Sequence, residues 1–259
     1  MSFTTITYER EAAIGTITLN RPGVMNAIDD TMANELYEVL SSIENDREVR
    51  AVILIGAGKA FMAGGDIALM QKLTTPEAKD WAMLVHKVFD KLYRLPQPTI
   101  AAVNGAAVGG GFELVMACDL RIAIPQARFA QPEINLGIIP GAGSTQRLPR
   151  LIGGPRAKAL ILLGETLTAE QALELGVINK VVAKEELVSE AKAMAEKIAA
   201  YPRLAAQCAK QAVNLSDRTD LDLGQRCEID LYSYLYSTSD QKEGMLAFIE
   251  KRKPDFTHR

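Results

Sequence analysis

Apolar residues recur along this chain in two rhythms, and their alternation predicts its architecture. Continuous apolar runs at residues 49–55 and 99–103 read as strands covered on both faces. Runs with apolar residues three and four apart read as helices that bury one side. Residues 3–8 and 14–19 predict a β-hairpin turning around residues 9–13 and ended by Asn20, Arg21, Pro22 and Gly23. Asp29 or Asp30 then caps a helix whose Leu36, Val39, Leu40 and Ile43 form one stripe. Residues 76–94 predict a second amphipathic helix, with Trp81, Leu84, Val85, Val88, Phe89 and Leu92 inward. Short strands follow at 120–124 and 128–130, and a helix starts at Ser144. Residues 168–175 make another helix, capped by Thr168 and stopped by Gly176; 177–182 are strand-like and 184–200 helical. Beyond Tyr201 and Pro202 only helical patterns remain, including a stretch with Tyr232, Tyr234 and Tyr236 and a capped run over 240–253. Buried strands alternating with helices imply an α/β fold, with a core over residues 1–200 and a helical appendage over 201–259.

The rest of the pattern is organised around residues 101–113. A buried strand released by Pro96 and Pro98 turns at Asn104-Gly105, and Gly109, Gly110 and Gly111 then open a helix that is apolar on almost every side. Glycines cost about 0.5–1 kcal/mol each against alanine where a helix must form. They suit a place where backbone N–H groups stand free beside a ligand, because a helix N-terminus carries unpaired donors and a positive dipole end. Glu113, three residues past Gly110, brings a carboxylate to the same small space. A glycine-packed turn with Glu113 stabilising the helix dipole accounts for the stretch equally well.

Charge and composition narrow the partners. A net charge of −3 over 259 residues leaves no basic footprint for nucleic acid and no polybasic patch for a membrane. Residues 99–118 are long enough to cross a bilayer, but Asn104, Glu113 and four glycines argue for a buried strand, turn and helix instead. The first ten residues lack the apolar core of a signal peptide. Cys118, Cys208 and Cys227 are scattered, which indicates neither a zinc site nor a disulfide framework and fits a reducing, cytoplasmic setting.

The chemistry that remains rests on glycine loops and acids. His86 lies mid-helix and His258 in the tail, with no GxSxG elbow, which argues against a serine hydrolase. No GxxxxGK loop occurs, and Gly141-Ala142-Gly143 lacks the third glycine and the preceding strand of a dinucleotide fingerprint. Gly64-Gly65 and Gly109–Gly111 each follow a buried strand, and in α/β folds strand carboxyl ends gather on one side. Two N–H groups from separate loops then converge on one oxygen as an oxyanion hole. Asp66, beside the first loop, reads as the cap of the following helix. Glu133 follows Pro132 among Ile134, Leu136, Ile138 and Ile139, with no basic residue close in sequence. That setting predicts a partly buried carboxyl with a raised pKa; a loop acid bonded to nearby amides is the plain structural alternative.

Five segments in order carry a resemblance over essentially the full length: RPGVMNAI (21–28), KAFMAGGDI (59–67), AAVNGAAVGGGFELVMACD (101–119), FAQPEINLGIIPGAGSTQRL (129–148) and KEGMLAFIEKRKPDF (242–256). The chain resembles the enoyl-CoA hydratase/isomerase, or crotonase, family. The resemblance implies a crotonase-like ββα spiral core with the active site in residues 1–200, and a helical segment at 201–259 that builds trimers or dimers of trimers. It implies an oxyanion hole at the N–H groups of Gly65 and Gly110, and an acid/base pair at Glu113 and Glu133. Acyl-CoA contacts are implied at Val24, Ala27, Ala63, Gly64, Asp66, Ile67 and Gly141, with Phe248 and Lys251 supplied by a neighbouring subunit. The implied activity is hydration of short trans-2-enoyl-CoA thioesters with no cofactor beyond the CoA of the substrate and no metal; a double-bond isomerase is the near rival and an RNA-binding homologue a remote one. Met62 and Ser144 depart from the residues common in the family, Ser144 standing where many hydratases have glycine, and both are expected along the acyl or pantetheine path.

Overall fold

In the computed structural model, which describes residues 3–216 and 218–258, the chain opens with an antiparallel hairpin of β1 (Ile6–Glu11) and β2 (Ile14–Leu19). β1 starts and ends three residues later than the sequence pattern predicts, running through exposed Glu9, Arg10 and Glu11. It is the sheet edge, where charged side chains stay in solvent and guard the unpaired backbone. α1 (Asp30–Asn45) is capped by Asp29, whose carboxylate accepts the Met32 N–H at 2.8 Å, and it buries the predicted stripe.

The chain then makes the same excursion three times. β3 (Ala51–Gly56) leads to β4 (Ala60–Met62), then to α2 (Ile67–Met70) and α3 (Thr75–Arg94). β5 (Thr99–Val103) leads to β6 (Ala106–Val108) and α4 (Gly110–Ala117). β7 (Leu120–Ala123) leads to β8 (Arg128–Ala130), followed by α5 (Ser144–Ile152) and α6 (Gly154–Leu163). After β9 (Thr166–Thr168) and α7 (Ala169–Glu174), β10 (Lys180–Val181) closes a six-stranded sheet in the order β1-β2-β3-β5-β7-β10, while β4-β6-β8-β9 form a second sheet. β3, β5 and β7 pair in parallel in the first sheet, and β4, β6 and β8 in the second, so each turn of a ββα spiral adds one strand to both. The stretch 99–118 is therefore strand, turn, strand and helix; among the described residues no helix is long and apolar enough to cross a membrane. The three-residue β8 matches the strand expected at 128–130, whereas the equally short β4, β6 and β9 escape the sequence pattern, and of residues 177–182 only β10 pairs.

Phe61, Phe89, Phe112 and Phe129 are the largest fully buried side chains, and the rings of Phe112 and Phe129 meet at 5.4 Å between the second sheet and α4. α3 buries Val85, Val88, Phe89 and Leu92, while Trp81 and Leu84 sit half-buried at the core margin. α8 (Leu187–Ala199) packs on the first sheet. α9 (Arg203–Leu215) is tied to the core by Lys210, whose ammonium lies 2.7 Å from the Asp119 carboxylate. α10 (Leu221–Leu235) and α11 (Ser239–Glu250) follow, and α10 leaves Leu221, Ile229, Tyr232 and Tyr234 exposed. Thr238 caps α11 and Lys251, in the left-handed conformation, ends it, so the predicted 240–253 run is shorter at its C-terminal end.

Two asparagines, one half-buried and one buried, set the corners between the sheets. Asn104 Nδ2 donates to the Gly56 carbonyl at 2.8 Å and its Oδ1 accepts the Gly56 N–H at 3.1 Å. Asn26, with no exposed surface and a φ of +58°, donates to the carbonyls of Ala57 and Ala60, both at 2.9 Å, while its Oδ1 accepts the Arg21 N–H. This side chain stitches the loop before α1 to the β3–β4 corner, which carries the first glycine loop. Asn26→Ala strands those carbonyls and is expected to cost at least about 2 kcal/mol, read as a melting temperature lower by roughly 5 °C or more. An unchanged melting temperature would contradict this role.

Candidate active site

Two glycine loops meet at the ends of β4 and β6. Ala63 N–H donates to the Met25 carbonyl, Ile28 N–H to Gly64, and Asp66 N–H to Ile28, so residues 25–28 hold the first loop as a parallel strand would. Gly64 has a φ of +91° and Gly109 a φ of +54°, conformations that residues with a Cβ adopt only under strain. The two loops touch: a Cβ built on Gly64 would lie 3.4 Å from the Gly110 nitrogen, and one on Gly110 would lie 3.8 Å from the Gly65 nitrogen. Gly110 is the first residue of α4, where N–H groups lack intrahelical acceptors. Among the described residues, neither Gly65 nor Gly110 donates its N–H to an acceptor. The pair that sequence reasoning singled out is thus brought together with both donors free.

The two candidate acids flank this point by different routes. Glu113 lies on the first turn of α4, is 2% exposed, and its Oε1 accepts the N–H groups of Ala142 and Ser144, each at 2.8 Å. Burial pushes its pKa up, and those two N–H bonds oppose the rise by favouring the ionised form. Glu133 lies on a 3₁₀ turn, Pro132–Leu136, and a Cβ on Gly109 would stand only 2.8 Å from its Oε1. Its pKa is pushed up to about 7, first by burial and also by the charge of Glu113. The raised pKa agrees with the sequence expectation, but its source does not. Ile134, Leu136, Ile138 and Ile139 are 40% to 67% exposed, so the apolar neighbours in sequence do not enclose the carboxyl. The glycine loop and Gln131 do.

Gln131 and Ser144 were missed as a pair. Gln131 has no exposed surface and its amide lies between Ser144 Oγ and Glu133. Oriented with its oxygen toward Ser144 Oγ, it donates to both Glu133 oxygens, at 2.9 and 3.1 Å. A glutamine two residues before a candidate acid was the available signal. Ser144 is fully buried with its hydroxyl beside Gln131, and Met62 is packed wholly in the core.

The remaining predicted contacts divide. Asp66 caps α2 through Ala68 N–H and pairs with Arg21 at 3.2 Å, so its carboxylate serves the loop's own structure. Ala63, Gly64 and half-exposed Ile67 border the glycine cleft, Val24 is exposed, and Ala27 is nearly buried. Gly141, exposed, precedes the Ala142 N–H that holds Glu113. Phe248, 86% exposed, and Lys251 sit at the end of α11, with no hydrogen bond or ion pair to the glycine loops among the described residues. Among the described residues no cluster of His, Cys, Asp and Glu is arranged to hold a metal ion.

Two unpaired main-chain donors thus lie beside one buried and one half-buried carboxyl. The family model for enoyl-CoA hydratase/isomerase matches residues 9–259. The short-chain-enoyl-CoA hydratase of Clostridium acetobutylicum is 46% identical over 98% of this chain and 97% of its own. The crotonyl-CoA hydratase of Syntrophomonas wolfei is 43% identical over 99% of both. The crystal structure of enoyl-CoA hydratase from Bacillus anthracis superposes with a TM-score of 0.95 at 39% identity, covering 99% of this chain and 100% of that one. The chain belongs to the enoyl-CoA hydratase/isomerase family, and its spiral is the crotonase fold.

Gly109→Ala forces a Cβ into a backbone conformation that glycine favours and against Glu133 Oε1. Strain of this kind costs of order 1–3 kcal/mol, so the melting temperature is expected to fall by roughly 3–10 °C. A variant as stable as the parent would show that the loop is not held as described.

Proposed function

We propose that this protein is an enoyl-CoA hydratase that adds water reversibly and syn to short trans-2-enoyl-CoA thioesters, giving 3-hydroxyacyl-CoA. The observation that carries this reading is the meeting of the free Gly65 and Gly110 N–H groups with two carboxyls, buried Glu113 and half-buried Glu133. Conjugation lets negative charge move from an attacked β carbon onto the thioester oxygen. Fixed amides at Gly65 and Gly110 stabilise that charge without reorganising. Glu113, whose two N–H partners favour its ionised form, takes the proton of the attacking water. Glu133, holding its proton up to about pH 7, delivers one to the α carbon. Retaining both acids supports hydration over double-bond migration, and a net charge of −3 disfavours an RNA-binding role.

The CoA moiety is the only organic cofactor group the reading requires, and it arrives with the substrate. Main-chain groups at Val24, Ala27, Ala63, Gly64, Asp66, Ile67 and Gly141 contact it or the acyl chain, and a neighbouring subunit contributes Phe248 and Lys251. The segment 201–259 serves oligomerisation, to a trimer or a dimer of trimers. Exposed Leu221, Ile229 and Tyr232 on α10, and Ile139, Leu162 and Leu163 beside the site, are the apolar surface such an assembly covers. We place the reaction in fatty-acid β-oxidation and the protein in the cytoplasm.

Purified protein is expected to bleach the conjugated thioester absorbance of crotonyl-CoA without added metal. Glu113→Gln and Glu133→Gln should each lower kcat by about 100-fold or more; folded variants with full activity would refute the assignment. Gly65→Pro, which removes one donor, is expected to lose about 100- to 1000-fold in rate. Because the acid form of Glu133 is lost on ionisation, kcat/KM for hydration should fall as pH rises through about 7. A profile flat from pH 6 to 8 would contradict its role as proton donor.

A further inference from the structure

A buried amide whose two ends face a carboxyl and a hydroxyl has two complete hydrogen-bonding states. Gln131 is such a group. With its NH₂ toward Glu133 it donates to both carboxylate oxygens and its own oxygen accepts from Ser144 Oγ. Turned over, its oxygen faces Glu133, and its NH₂ donates to Ser144 Oγ and approaches the Gly109 carbonyl at 3.4 Å. The first state matches an ionised Glu133, an acceptor only. The second matches a protonated Glu133, whose O–H then donates to the amide oxygen. A hydroxyl can donate in one state and accept in the other, which no methyl group or hydrogen atom at residue 144 can do.

We propose that Ser144 is a positioning residue that lets Gln131 turn over, so that Glu133 is hydrogen-bonded both before and after it gives up its proton. No proton crosses the amide; only its ends exchange while the Glu133 proton passes to substrate and returns from product. The other acid is drawn into the same unit, because the Ser144 N–H donates to Glu113 Oε1 at 2.8 Å. The titratable groups facing this unit are Glu113 from α4, His86 from α3 and Arg147 from α5, the last two acting on Glu113.

Removing the hydroxyl has a predictable sign. In Ser144→Ala the state with NH₂ away from Glu133 still has the Gly109 carbonyl as acceptor, whereas the state with oxygen away has lost its donor. The amide oxygen then stays toward Glu133 and favours its protonated form. A hydrogen bond of ordinary net strength corresponds to about half to one pH unit.

The role in turnover rests on the hydratase reading, but the titration does not. The ligand-free protein, labelled with ¹³C at glutamate carboxyls, is titrated by infrared difference spectroscopy with Glu133→Gln as the blank. Glu133 is expected to titrate about half to one pH unit higher in Ser144→Ala than in the parent, with Ser144→Thr, which keeps the hydroxyl, returning to the parent value. Equal midpoints in all three, or a threonine variant displaced like alanine, would overturn the proposal. The same variants assayed with crotonyl-CoA should move the falling limb of kcat/KM by the same amount with KM within about twofold. A parent protein that fails to hydrate crotonyl-CoA would sink the functional reading, while the titration midpoints would still decide the role of Ser144.

Discussion

Everything at the centre of this molecule depends on two main-chain turns being pressed close together while two of their N–H groups stay without an acceptor. Backbone donors are ordinarily consumed by the sheet or helix that creates them. Here Gly65 escapes because residues 25–28 pair with its neighbours on both sides, and Gly110 escapes because it opens a helix. Gly64 and Gly109 let the turns approach within van der Waals contact. The ββα spiral serves this end, since strands laid parallel in two sheets deliver successive loops to the same region.

The carboxyls gain their meaning from that arrangement. A buried acid is costly unless it is neutral or well bonded. Glu113 is compensated by the Ala142 and Ser144 N–H groups, which come from the loop before α5 and its first residue. Glu133 has fewer such bonds, and its pKa is pushed up to about 7. Burial raises both acids, and the two differ in what bonds them: one faces a turn of amides, the other a glutamine side chain.

Long elements were legible in the sequence, and so were the two glycine loops; Gly65 and Gly110 within them were implied by the resemblance. The 49–55 and 99–103 runs, the stripe on α1 and the Asp29 cap were all readable from period and residue type. Of the second sheet, built from three-residue strands, only β8 was read; β4, β6 and β9 were not. Glu113 and Glu133 could be nominated from their apolar and glycine-rich settings, yet the enclosure of Glu133 was misread. Its neighbours in sequence face outward, and its burial comes from Gly109 and Gln131, which only the fold brings near. Gln131 and Asn26 carry no periodic or motif signal because each works by bonding distant partners.

The most direct test of the account is the isotopic outcome of turnover in D₂O. Crotonyl-CoA incubated with the protein should give 3-hydroxybutyryl-CoA carrying one deuterium at the α carbon, on the same face as the new hydroxyl, as NMR of the isolated product can read. A product that has taken up no water, or one in which the deuterium and hydroxyl lie on opposite faces, would contradict a water and a proton delivered from the one side where Glu113 and Glu133 stand.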